Sequence, residues 1–433
     1  MTPHPFSSLQ IKRPKPSHVI DMDNVCCLVL GGGQGARLYP LTQARCKPAV
    51  TFGGRYRLID VPISNAINSH IHKIFIMTQF LSSSLHRHIF QTYHLSTFSS
   101  GFIEVLSAEQ KPDKTMWYEG TADAIRQNIE YLLETPAEYF LILSGDQLYH
   151  MQFQNMVEWA LQKDADVVVA TLPVEEKDAT RMGLMRINSN HAITDFVEKP
   201  KEKTLLDTFK VDDSKKPYLA NMGIYLFKRK ALFDLLASDK REDFGKHLIP
   251  TKVSQGNIFA YPHEGYWEDI GTIDSFHKAN LALTQMNAPF NCYNESSPIY
   301  AQRLHLPSPK VLSTELNNAI LSDGVISEAD EITDSIIGPR TVIKRGSIIR
   351  STYVIGNDYY NPPHPITHLP EHLFIDENCI IKNSIIDKNV SIGKNVQLIN
   401  KNRLANFDSP NAYIRDHIIV IPSGAVIPNG FVL

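Results

Sequence analysis

From about Asn317 onward, apolar side chains return every six positions: Ile337, Ile343, Ile349 and Ile355, then Ile380, Ile386, Ile392 and Leu398, then Val420, Val426 and Val432. Glycines fall between them at 338, 346, 356, 393, 424 and 430. Neither the 3.6-residue turn of a helix nor the two-residue pleat of a strand gives this spacing. It is the spacing of a parallel β-helix, whose short coils each bury an apolar edge against the next. Unrelated antiparallel strands are the alternative; three runs that hold the six-residue period favour stacked coils. The segment DYYNPPHPITHLPEHLF (358–374) breaks the period and is predicted to loop out.

Ahead of the repeats the pattern is different. CCLVL (26–30), KIFIM (73–77), YFLIL (139–143) and DVVVAT (166–171) are short apolar runs of the kind that form strands buried on both faces. Between them lie helical stripes, with Ile125, Ile129, Leu132 and Leu133 on one face of 122–134 and a second stripe over 153–162. Strand alternating with helix predicts a doubly wound, mostly parallel α/β sheet of the Rossmann-like kind. Ligands of such sheets sit at the carboxyl ends of strands, so the loops after Leu30 and Leu143 are where chemistry is expected. The expected division is an N-terminal arm (1–24), a catalytic domain (25–284), a linker rich in proline (285–316) and the repeat domain (317–433).

The formal net charge of −3 over 433 residues argues against a broad nucleic-acid or membrane footprint, so charged substrates need a local cluster of basic groups. Cys26, Cys27, Cys46, Cys292 and Cys379 fit no zinc or CxxC spacing and read as thiols of a reducing, cytoplasmic setting. Residues 1–20 have no apolar run of signal-peptide length; their Lys12, Arg13 and Lys15 and lack of acids resemble a transit peptide, but a flexible arm is the simpler reading.

The first strand runs into LGGGQGARLYPLTQARCKPAV (30–50), where glycines let the backbone approach a phosphate closely. The turn lacks the G-K-[ST] ending of a P-loop, and alone it is weak evidence. Arg37 and Lys47 close by strengthen the reading, one forked and one a point charge. Asp146, at the carboxyl end of YFLIL, is placed to hold Mg²⁺ on a phosphate, with Asp269 of GYWEDIGT as the second acid. In FVEKP the proline favours an extended backbone at Lys199, aiming it across a strand end. Each residue alone has an ordinary structural reading: a turn, a cap or a solvated cation.

GGGxGxRLxPLT with KPAV, GTADA (120–124), GDQLY (145–149), GLM (183–185), FVEKP, MGIY (222–225) and WEDIGT occur in one order. Together they resemble the glucose-1-phosphate adenylyltransferases, the plant-type branch most of all, from about residue 25 to the end. The resemblance implies a left-handed β-helix after the catalytic domain, a homotetramer, and ATP and glucose 1-phosphate as substrates with Mg²⁺ as cofactor. It implies that Gly32, Gly33, Gly35, Arg37 and Lys47 hold the triphosphate and that Gln79 and the backbone near Gly120 read the adenine. Tyr118, Gly183, Glu198, Lys199 and Asn221 would bind the sugar phosphate, and Asp146 and Asp269 the metal.

Some positions depart from that pattern. Ala36 replaces a threonine, Gln147 a histidine and Asn221 a serine. The resemblance also implies a phosphate-bearing effector bound by basic residues near the domain junction. Arg45, Arg57 and Lys388 match such positions, while other regulatory lysines are missing, so a weakened response is expected. The alternatives are a non-catalytic regulatory subunit and a related transferase using UTP or dTTP.

Overall fold

Short apolar runs with nothing polar to expose become the strands of one central sheet. The computed structural model describes residues 21–96, 98–109, 117–211, 215–363 and 369–433. Most of the expected N-terminal arm and residues 364–368 of the insert therefore lie outside the described residues. Nine strands form the sheet among the described residues: β1 (Val25–Leu30), β2 (Lys73–Thr78), β3 (Phe102–Ser107), β4 (Tyr139–Ser144), β5 (Val167–Val174), β6 (Gly183–Ile187), β7 (Ile193–Glu198), β8 (Tyr218–Lys228) and β9 (Ile258–Pro262). Their order is β7-β6-β8-β4-β1-β2-β3, with β5 on β8 and β9 on β5.

Strands β3, β2, β1 and β4 run parallel. The long β8 runs antiparallel to β4, β5 and β6, so the sheet is mixed beyond β4. Val25, Cys27 and Val29 enter one apolar layer and Cys26 and Leu28 the other, which is why β1 reads as an unbroken apolar run. From β1 the chain goes first to β2 on one side and later to β4 on the other, opening a crevice beyond the carboxyl ends of β1 and β4.

The helix Phe153–Gln162 has the predicted limits. The stripe predicted over 122–134 is instead two helices, Thr121–Gln127 and Ile129–Glu134, separated at Asn128. The Asn128 amide donates to the Ala124 carbonyl and the Tyr118 hydroxyl, both at 2.8 Å. Past the break the helical face has turned, so Leu132 is buried while Leu133 is 54% exposed.

The repeat domain is a stack of parallel coils. Glu315–Leu321, Glu331–Ile337, Ile348–Val354 and Ile380–Ile386 pair in sequence, and Ile418–Ile421 follows. Each of the first four strands bends at a left-handed residue in the same row, Asn318, Asp334, Ser351 and Asn383, with φ of 46–47°. Small polar side chains tolerate that region best after glycine. The strand Lys310–Val311 already pairs with Ile326–Ser327, so the first coil begins inside the segment expected as linker, ahead of Asn317.

Ile337, Ile343, Ile349, Ile386, Ile392 and Leu398 fill the coil interior. The third run is one residue out of phase: Val426 and Val432 are half exposed, and Ile421 and Ile427 are the inward residues. At Ile380 likewise the neighbour Ile381 is buried instead. Within a strand adjacent side chains face opposite ways, so a doublet of apolar residues offers both phases.

In the long strands one row of outward-facing residues is covered as well. Ile320, Ile336, Tyr353, Ile385 and Val420 align in one row across the coils and pack on the catalytic domain. Tyr353 sits at the centre of this seam, its ring 5.8 Å from that of Phe276. Its hydroxyl donates to the Thr51 carbonyl at 3.0 Å and accepts from the Gly54 N–H at 3.2 Å.

Tyr353→Ala should cost about 3–5 kcal/mol through the cavity left in the seam. Tyr353→Phe, which strands two buried backbone groups, should cost about 1–3 kcal/mol. Urea denaturation of the two variants beside the parent chain measures both; a neutral Tyr353→Ala would show that the seam does not hold the domains together.

Candidate active site

The loops after β1 and β4 are drawn together by their backbones: the Gly31 N–H donates to Met77 and the Gly145 N–H to Leu30. They line one side of a cleft of about 1240 Å³ that runs across the carboxyl ends of the strands. At its centre the Lys47 ammonium lies 2.5 Å from Asp146 Oδ2 and 3.4 Å from Asp269 Oδ1. Burial pulls the lysine pKa down, but the two carboxylates outweigh it and hold it above the ordinary value. Burial raises Asp146, and Lys47 together with the Ser144 hydroxyl more than reverses it, leaving this acid firmly ionised. Asp269 is pushed the other way, first by burial and then by the charge of Asp146, with Lys47 and Arg37 opposing. One ammonium thus serves two carboxylates that repel each other.

Asp269 reaches this point on the short strand Trp267–Asp269, which pairs antiparallel with Gln147–Tyr149 and brings Asp269 opposite Gln147. Arg37, in a 3₁₀ turn after the glycine loop, is exposed at the same end of the cleft. Gly32 and Gly33 line the cleft but Gly35 does not. Gly35 has φ of +64°, and a Cβ there would lie 2.9 Å from Lys47 Cβ, so this glycine makes room for the lysine.

Gln79 and Gly120 line the same cleft. The Gln79 amide accepts from the Tyr118 N–H at 2.8 Å and donates to the Gly32 and Tyr118 carbonyls at 3.3 Å, tying the glycine loop to the 118–120 segment. At Gly120 a Cβ would stand 2.3 Å from the Glu242 carbonyl oxygen. That carbonyl accepts from the N–H groups of Ala122 and Asp123 at the start of their helix. Thr121 completes the contact, donating to Asp243 and accepting from the Phe244 N–H.

Tyr118, Gly183, Glu198, Lys199 and Asn221 also line the cleft. Lys199 pairs with Glu198 at 3.0 Å and is mostly exposed. Its φ is +46°, left-handed and not the extended conformation expected before a proline. The Lys199 N–H donates to the Met182 carbonyl, which fixes this turn. Asn221 gives one amide N–H to the Tyr225 hydroxyl at 2.7 Å and accepts from the Gly223 N–H at 2.8 Å, leaving its second N–H for other partners.

A glycine loop, a buried lysine clasped by two acids and a cleft of about 1240 Å³ suit the joining of two phosphate-bearing molecules. Residues 26–286 match the nucleotidyl transferase family. The chain belongs to that family. Residues 304–432 match the GLGC left-handed parallel beta-helix domain. The two in this order are the architecture of a glucose-1-phosphate adenylyltransferase, and the transferase acts on sugar 1-phosphates. Among the described residues no helix is long and apolar enough to cross a membrane.

Arg45, Arg57 and Lys388 meet at the seam between the domains. Arg45 forms a buried ion pair with Asp387 of the β-helix. Lys388 pairs with Asp358 at 2.7 Å, and the Arg57 guanidinium donates to the Ser84 carbonyl at 2.9 Å. Burial lowers the pKa of Lys388 and of Arg57; for Lys388 the nearby Arg57 and Arg45 add to it, while Asp358 opposes.

Several cleft residues had no signal of their own in the sequence. Ser144 opens the SGD turn, and Tyr225 and Trp267 stand inside quoted motifs, yet nothing marked their side chains as inward. Asp243 lies in an unremarkable polar stretch, REDFGK, and only its cap on the Lys246 N–H and its bond from Thr121 explain its place.

Gly120→Ala should destabilise the transferase by about 1–3 kcal/mol, because the clash is with backbone and cannot be relieved by a rotamer. Denaturation of the variant checks this; an unchanged midpoint would mean that the 120–124 and 242–245 segments separate freely.

Proposed function

We propose that the chain transfers AMP from ATP to glucose 1-phosphate, giving ADP-glucose and pyrophosphate for glycogen or starch synthesis. The observation that carries this reading is Lys47 between Asp146 and Asp269, in a cleft lined by residues of GTADA, which would form a nucleotide lobe, and of FVEKP and MGIY, which would form a sugar-phosphate lobe. GTADA, where thymidylyltransferases have a GLAQA-like sequence, favours ATP over dTTP. A bifunctional uridylyltransferase–acetyltransferase would need a longer β-helix.

A sugar phosphate is largely a dianion at neutral pH, its second pKa being about 6, so its oxygen attacks without a general base. The work left to the protein is to align two polyanions and to neutralise the departing pyrophosphate. The backbone of Gly32 and Gly33, with Arg37 and Lys47, would hold the triphosphate. Glu198, Lys199, Asn221 and Tyr118 would hold the sugar phosphate in line with it. Displacement is direct, with no covalent intermediate.

The acids fit a divalent cation. Asp146 and Asp269 present oxygen donors to one point, with Lys47 shared between them. No group of three or more His, Cys, Asp or Glu gathers among the described residues, which suits Mg²⁺, a cation that takes one or two carboxylates and completes its shell from water and phosphate. Bound there, Mg²⁺ supplies charge to the phosphates. A homotetramer, and a phosphate-bearing effector at Arg45, Arg57 and Lys388, belong to the same proposal.

Pyrophosphate release with glucose 1-phosphate and Mg²⁺ should be fastest with ATP when ATP, UTP and dTTP are compared; a preference for UTP or dTTP would overturn the nucleotide assignment. Asp146→Asn should keep the fold and lose about 3–5 kcal/mol of transition-state stabilisation, roughly 10²–10⁴ in rate. Near-normal turnover in that folded variant would remove Asp146 from the mechanism.

A further inference from the structure

Gln147 directly follows Asp146 but turns its side chain away from the lysine cluster. The side chain is buried, and both ends of its amide are used. Nε2 donates to the Met222 carbonyl at 2.8 Å, and Oε1 accepts from the Trp267 indole N–H at 3.2 Å. Its backbone stands opposite Asp269 in the short antiparallel pair. One residue therefore touches three segments: the acid of its own turn, the strand carrying the second acid, and residues 221–223 of β8.

That part of β8 is irregular. The register with β5 shifts between Asn221 and Tyr225, and Gly223 has φ of +72°. Asn221 holds the bulge from within, through the Gly223 N–H and the Tyr225 hydroxyl. Gln147 holds it from outside, through Met222, and Gly223 is close enough that a Cβ there would lie 3.4 Å from Gln147 Nε2. A bulge re-aims side chains and interrupts the ladder, so its position depends on such side-chain bonds.

We infer that Gln147 is a positioning residue: it ties the Asn221–Gly223 bulge and Trp267 to the turn bearing Asp146, and so sets the distance between the sugar-phosphate lobe and the two acids. The inference rests on the proposed reaction. A neutral amide suits the task because it donates to a carbonyl and accepts from an indole at once. A carboxylate keeps the acceptor but faces the Met222 carbonyl without a proton. Alanine leaves both partners buried and unpaired.

The test uses the full chain and three variants. With Gln147→Ala the KM for glucose 1-phosphate should rise about tenfold, one buried hydrogen-bonding pair's worth, while the ATP KM changes less than about twofold. Gln147→Glu should raise the same KM at least as far. Gln147→His, whose ring has one N–H and one acceptor nitrogen, should recover most of the loss. The Trp267 indole N–H resonance, assigned by its disappearance in Trp267→Phe, should move in Gln147→Ala.

Equal rises in both KM values with a lowered Tm would show a general structural role and overturn the inference, as would an unmoved indole resonance. Failure of histidine to rescue would do so too. A parent chain inactive on glucose 1-phosphate with every nucleotide would instead overturn the proposed reaction, and this inference with it.

Discussion

The cleft depends on one ammonium. Lys47, Asp146 and Asp269 come from segments far apart in the chain, and their meeting fixes the 3₁₀ turn Lys47–Ala49, the end of β4 and the short strand before the helix Ile273–Ala282. A buried cation with two anions holds its proton, and each anion needs it. Gly35 is part of the same constraint, since any larger residue would compete with the lysine for space. Around this centre Gln79 ties the glycine loop to the 118–120 segment, and Gln147, next to Asp146, reaches Met222.

The same stretch of chain faces the second domain. Cys46 alone separates Lys47, directed at the acids, from Arg45, directed at Asp387. The packed row centred on Tyr353 keeps Asp387 where Arg45 can reach it. Chemistry and domain packing therefore share a few residues of backbone, and the seam is part of the support of the active site.

Much of this was legible in the sequence, for reasons that differ from element to element. β1 and β4 were readable because strands covered on both faces must be apolar throughout, and Phe153–Gln162 because its stripe faces one layer. Asp146 was readable from its place at a strand end, and Arg37 and Lys47 from theirs beside the glycine turn. The break at Asn128 was not, because it follows from bonds to Ala124 and Tyr118 that a helical stripe does not record. Nor was the left-handed turn at Lys199, since a following proline favours the opposite choice and only the bond to Met182 reveals it. In the coils, doublets such as Ile336-Ile337 hid the docking row: one member lines the coil, the other the seam, and composition cannot say which. Gln147 read as a substitution in a motif until its two partners were in view.

The β-helix keeps count by its corners. Asn318, Asp334, Ser351 and Asn383 fall in one line, and Ile348–Val354 pairs with Ile380–Ile386 residue by residue even though the 358–374 segment lies between them. Whatever enters after a complete strand and returns before the next leaves the count unchanged. Extra length is thus absorbed between Val354 and Ile380 without displacing Tyr353 or Ile385 from the seam, whereas a single residue added inside a strand would turn its docking side chains inward. Length added at that point enters beside the junction, where Asp358 already meets Lys388.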